Sequence, residues 1–178
     1  MATTIIRPIS DYSISNWKNS DDGTTNLYSY VDEETLSLLD YAYSVDPSTG
    51  KELLFNFSDI TNGIINKITL YFTVVYSGGY DENGKKARIY INSTNYDYTP
   101  VLVSGNTFKV EIDTNPNTST AFTVSDINSL IAGFFHSSGS SKAVRAELYQ
   151  YYIEVDYSST PPTITGVSIM TGVGSITF

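Results

Sequence analysis

Three observations predict an all-β fold, a single antiparallel β-sandwich. Apolar and polar residues alternate with period two over several stretches, as in strands with one buried face. Clusters of Gly, Pro, Asn, Asp and Ser separate these stretches at short intervals. Helical patterning is confined to two short stretches, so no long helices are available to cross between parallel strands.

In chain order, the first strands are expected over residues 4–9 and 12–17. The second closes on Trp17, which reads as core. A weaker strand follows over 27–31, then a first short helical turn over 33–40, and a strand over 53–57. The clearest run is 68–76. Ile68, Leu70, Phe72, Val74 and Tyr76 share one face; Lys67, Thr69, Tyr71 and Thr73 share the other. In the next run Ala87, Ile89 and Ile91 point inward. Asn83-Gly84, between these two runs, is a hairpin signal. Residues 108–113 alternate strictly between apolar and charged. A second helical turn is expected over 123–131, capped by Ser125, followed by a weak strand over 132–135. In the last run Val144, Ala146 and Leu148 share a parity that Tyr151, Ile153, Val155 and Tyr157 do not. A β-bulge near Tyr149-Gln150 reconciles them.

The 178 residues suit one domain with a short appendage. A domain of this size buries enough surface to need no covalent staples, and there is no cysteine to make one. Neither a signal peptide nor a membrane-spanning run is apparent, so the protein is expected to be made in a host cytoplasm. The formal net charge of −9 repels phosphate backbones, which argues against nucleic-acid binding. Fifteen tyrosines in a chain with only 16% charged residues suit strand packing and interfaces better than metabolic catalysis.

The domain is expected to span residues 1–157. Ser158-Ser159-Thr160-Pro161-Pro162 then breaks the pattern, and residues 163–178 contain no charged residue. Ile164, Val167, Ile169, Val173, Ile176 and Phe178 recur there among Gly, Ser and Thr, as in an arm that docks on a neighbour.

Signals for chemistry are weak. His136 is the sole histidine, and its serine-rich surroundings read as a solvated surface loop with no nucleophile elbow. Asp21-Asp22-Gly23 and Asp81-Glu82-Asn83-Gly84 offer oxygens suited to calcium, but neither has the twelve-residue calcium-loop pattern, and both read as turns. Glu147, Glu154 and Asp156 lie on one expected strand and look solvent-facing, a poor fit to a glycosidase pair. No catalytic residue, cofactor or metal is therefore expected. Tyr90, Tyr96, Tyr98, Tyr149 and Tyr152 fall near exposed faces. They suit packing against a sister subunit, with Tyr96 and Tyr98 as a possible glycan-stacking platform.

Two blocks carry a resemblance. The first is Arg7-Pro8, Asp11, Ser13, Ser15, Trp17 and Ser20, followed by Leu27-Tyr28 and Val31-Asp32-Glu33. The second is Asn115-Pro116, Ala121-Phe122-Thr123, Asp126-Ile127-Asn128, Val144-Arg145, Leu148-Tyr149 and Tyr152 to Tyr157. Together they resemble a group of virion proteins of tailed bacteriophages and prophages. Phe122 stands where that group usually has Trp, and the run 147–152 is wider than usual. The resemblance implies a jelly-roll-like sandwich and a non-enzymatic decoration, head-appendage or tail component, most readily a capsid decoration protein. Its partners would be capsid or tail proteins and sister subunits, and it would reside in the virion. The alternatives are a carbohydrate-binding module, a tail-fibre receptor-binding domain or a fragment of a glycan-hydrolysing tailspike.

Overall fold

The computed structural model describes residues 2–45, 51–77, 84–136 and 145–158. They form two antiparallel sheets packed face to face, the all-β sandwich expected from the alternation. The strands are β1 (Ala2–Ile6), β2 (Pro8–Ser15), β3 (Trp17–Asn19), β4 (Ala42–Ser44), β5 (Lys51–Phe57), β6 (Ile64–Ser77), β7 (Lys85–Ile91), β8 (Thr94–Tyr98), β9 (Val101–Ser104), β10 (Thr107–Ile112), β11 (Ile131–His136) and β12 (Arg145–Ser158). One sheet runs β3-β4-β12-β6-β10-β9, with β1 also paired to β12. The other runs β2-β5-β11-β7-β8. Among the described residues one short α-helix, α1 (Val124–Asn128), lies between β10 and β11.

The inward faces match the expected parities. Ile68, Leu70, Phe72 and Val74 on β6 are buried, as are Ala87 and Ile89 on β7 and Tyr151, Ile153 and Val155 on β12. Phe72 is central: its ring lies 5.4 Å from Phe134, 5.8 Å from Phe108 and 6.0 Å from Tyr151. Trp17 is core, set edge-on to Phe134 at 5.7 Å. The β12–β6 register shifts between Leu148 and Gln150, which is the bulge that the parity change required. Beside it, the Tyr151 amide donates to the Val31 carbonyl, so a loop covers the edge of β12 between its pairings with β4 and β1.

Several expectations are corrected. The runs 4–9 and 12–17 are each cut in two, at Arg7 and Asn16, because the chain changes sheet there. Asn16 makes one of these turns with φ of 60°, a left-handed conformation that Asn tolerates. Residues 27–31 are not a strand: Leu27–Tyr30 is a 3-10 turn whose first amides donate to the Asp11 carboxylate at 3.0 and 2.8 Å. Residues 33–40 form no helix. There Ser37 bonds Asp40 and the Leu39 amide, local contacts that compete with helical hydrogen bonds. The cap of α1 is Thr123, not Ser125: Thr123 Oγ1 accepts from the Asp126 amide, and Asp126 reaches back to the Thr123 amide. Asn83 lies outside the described residues, but β6 and β7 are not paired as a hairpin: they lie in different sheets, and β6 pairs on both sides with β10 and β12. Two-residue hairpins are formed instead by Asn92-Ser93 between β7 and β8, with φ of 47° and 62°, and by Gly105-Asn106 between β9 and β10.

The last described strand ends at Ser158, one residue past the expected domain boundary. Ile164, Val167, Ile169, Val173, Ile176 and Phe178 lie outside the described residues. Among the described residues no helix is long and apolar enough to cross a membrane.

Candidate functional site

Two outward regions bring together residues that could meet a partner. The first is the outer face of the larger sheet. Tyr71 on β6 stacks on Tyr152 on β12 at 4.9 Å, with the Arg7 guanidinium 5.5 Å from the Tyr152 ring centre. Further along β12, the Arg145 guanidinium lies 3.7 Å over Tyr43 and 5.7 Å from Tyr41, which sits 5.1 Å from Tyr149. Tyr149 Oη donates to Glu147 at 2.8 Å; burial first, then this bond, pushes the phenol up to about 12. Tyr149 and Tyr152 were legible in the sequence as outward residues. Tyr71 was too, on the polar face of its run; Tyr41 and Tyr43 were not, because only the pairing of β12 with β4 brings them near.

The second region is the side where β8 and β9, the last strands of their sheets, lie joined through Thr99-Pro100. A cleft of about 320 Å³ opens there, lined by Tyr98, Thr99, Val101, Lys109, Val110 and Glu111. Tyr98 packs against the core cluster from β8, and its phenol is raised chiefly by burial. Tyr96 is half-buried on the same face of β8, its hydroxyl 3.4 Å from Asn117. Lys109 and Glu111 are paired at 2.7 Å across the mouth. Each shifts the other toward its charged form, Lys109 up and Glu111 down, mainly through that hydrogen bond.

β9 itself is unusual. Val101, Leu102 and Val103 are 58%, 58% and 50% exposed, and among the described residues the strand has a partner, β10, on one side only. Edge strands are normally guarded by charge, proline or bulges. The other strands ending the two sheet paths carry such guards: Lys18 on β3, Asp11 on β2 and Asp97 on β8. β1 also lacks charge, but its one large exposed apolar residue is Ile5.

The remaining candidates are placed as follows. His136 is not a solvated surface residue; it ends β11 at 4% exposure, 5.6 Å from the Tyr76 ring. β11 pairs on both sides, so its last residue stays inside the sheet. Asp21 and Asp22 serve the fold: Tyr30 Oη donates to Asp21, and Tyr43 Oη and Lys18 hold Asp22, whose pKa the Tyr43 bond lowers. Residues 81–83 lie outside the described residues. Among those described, no group of three or more His, Asp or Glu is placed to hold a metal ion. Sequence reading placed Glu33 in a motif but gave no sign of a shifted carboxyl there. Burial pushes its carboxyl up to about 7, with Asp32 and Asp40 adding to the shift and Arg7 opposing it. Arg7 is occupied with backbone, its Nη1 donating to the Glu33 carbonyl at 2.7 Å. No protein-family model matches the chain, and no curated protein matches it.

Proposed function

We propose that the protein is a non-catalytic structural component of a tailed-phage particle, most simply a capsid decoration protein with a jelly-roll-like sandwich. The observation that carries this reading is the open, uncharged edge at β9 beside the β8/β9 cleft. An apolar patch next to a cleft suits a contact with another protein better than contact with water. The motif resemblance and the uncharged segment 163–178 agree with it. Each contact would be modest, and repetition over a particle surface would supply the affinity by avidity. The acidic remainder of the surface would face solvent. Mass spectrometry of purified particles should find the chain at a stoichiometry matching a lattice position, and a version lacking residues 163–178 should no longer bind capsids. Its absence from particles would sink the virion reading; full binding by the shortened chain would sink the arm.

A second reading rests on Tyr98. A tyrosine beside Thr99, Lys109 and Glu111 in a cleft of about 320 Å³ also suits a sugar ring, as in a carbohydrate-binding module or a tail-fibre receptor-binding domain. Glycan-array binding lost on Tyr96→Ala or Tyr98→Ala would favour it over decoration.

A further inference from the structure

We infer that the outer edge of β9 receives an added strand, and that its occupant is the segment 163–178 of a second copy of this chain. This rests on the docking reading above and names the partner of that site.

Among the described residues no strand lies against this edge, and its four residues Val101, Leu102, Val103 and Ser104 carry no charge. A strand added there would take its affinity from main-chain hydrogen bonds and its selectivity from the side-chain pocket alongside. The pocket is the cleft at Tyr98, Val101 and Val110. On a chain of net charge −9, the matching feature is the charge-free segment 163–178, with Ile164, Val167, Ile169, Val173, Ile176 and Phe178. Pairing of β9 with its own counterpart would involve only four residues a side. That is far below the roughly 800 Å² per partner of a stable interface; a sixteen-residue segment can pair along those four residues and, unlike a second β9, continue into the cleft beside them.

Direction selects the second copy over the chain's own segment. β12 ends at Ser158 opposite Ile64. β9 lies three strand positions away across the sheet and runs from the level of Tyr71 toward that of Thr73. A segment leaving Ser158 directly would therefore meet β9 in parallel, the less stable pairing. A segment from another molecule can meet it antiparallel. The twenty residues after Ser158 span up to about 70 Å when extended, enough to bridge two domains.

The absence of cysteine allows a direct test in the full-length chain, with no particle present. Val103→Cys protein is mixed with Val167→Cys, Ile169→Cys or Val173→Cys protein and oxidised gently. A disulfide-linked heterodimer with at least one of the three is expected. A Leu102→Asp change added to the Val103→Cys protein should reduce it roughly tenfold or more; Leu102 is exposed, so the thermal midpoint should stay in place. Three outcomes overturn the inference: Val103→Cys linking only to itself, a chain carrying both Val103→Cys and Ile169→Cys linking only within itself, or no link in any mixture. Failure here would leave the virion reading standing, since that is read on particles, and the reverse also holds.

Discussion

Arg88 is the outward-facing residue whose removal should cost most. It lies on β7, yet it is only 8% exposed. Nε and Nη2 donate to the two oxygens of Asp97 at 2.6 and 2.7 Å, and Nη1 donates to Glu52 at 2.7 Å. The guanidinium carbon sits 3.7 Å over the Phe135 ring, and Glu52 also accepts from Ser13 Oγ at 2.8 Å. The network thus joins β2, β5, β11, β7 and β8, every strand of the smaller sheet. The Asp97 bond is the leading cause of the upward shift of the guanidinium pKa. Arg88→Met keeps most of the stem and removes all the donors. Breaking one partner out of a fully buried ion pair costs about 3–5 kcal/mol, and an exposed pair is worth under about 1 kcal/mol. The side chains of Glu52 and Asp97 are 22% and 33% exposed, so water would recover part of the loss. The expected cost is about 2–3 kcal/mol, or roughly 5–10 °C in thermal midpoint for a domain of this size. Urea unfolding followed by fluorescence of Trp17, the only tryptophan and a buried one, measures it. Arg88→Lys should recover less than half, because Lys keeps the charge but lacks the planar fork. A loss under about 0.5 kcal/mol for Arg88→Met would refute the claim that this network is a stabilising unit.

Two further substitutions test other parts of the fold. Gly133 sits mid-strand on β11, and an added Cβ would lie 2.0 Å from the Leu53 carbonyl oxygen; since the obstacle is backbone, Gly133→Ala should cost about 3 kcal/mol, at the top of the overpacking range, and an unchanged urea midpoint would contradict that close approach. The folded protein holds the Glu33 carboxyl near 7 against an ordinary value of 4.5, so the folded state binds the extra proton and stability falls as pH rises from about 4.5 to 7. Glu33→Gln should remove that slope, matching the parent at pH 4 and exceeding it by up to about 1 kcal/mol at pH 8 after allowance for solvent screening; equal pH slopes for the two proteins would refute it.

What was legible in the sequence follows from what is local. Alternation gave the inward faces of β6, β7 and β12, because parity depends only on spacing along one strand. The bulge at Tyr149 was legible for the same reason. The misplacements come from tertiary context. Whether β6 and β7 pair as a hairpin depends on whether β6 has a free side, and the two-residue hairpins that form are at Asn92-Ser93 and Gly105-Asn106. Leu27–Tyr30 looks strand-like alone, but the Asp11 carboxylate, sixteen residues earlier, supplies the acceptor that starts a 3-10 turn. His136 is buried because of the neighbours of β11, which its serine-rich flank does not reveal.

The same distinction separates the resemblance from the site. Most residues that carry the resemblance are scaffold residues; Arg145, Tyr149 and Tyr152, on the outer face of β12, are the exceptions. Arg7 holds the Asp32 and Glu33 carbonyls, Asp11 caps the 3-10 turn, and Trp17, Leu27 and Val31 are buried. Thr123 and Asp126 cap α1, and the Asn128 side chain holds both the amide and the carbonyl of Ile60. Any chain using this sandwich needs such contacts, whatever it binds, so these motifs speak to fold first. The β9 edge, by contrast, is defined by absences: no strand on its outer side among the described residues, and no charge along it. No motif can mark such a site, because it exists only once every other strand has been given its partners. Proteins that share this scaffold and dock on different surfaces should therefore differ most between Tyr98 and Ser104, and least at Arg7, Asp11, Trp17 and Asn128.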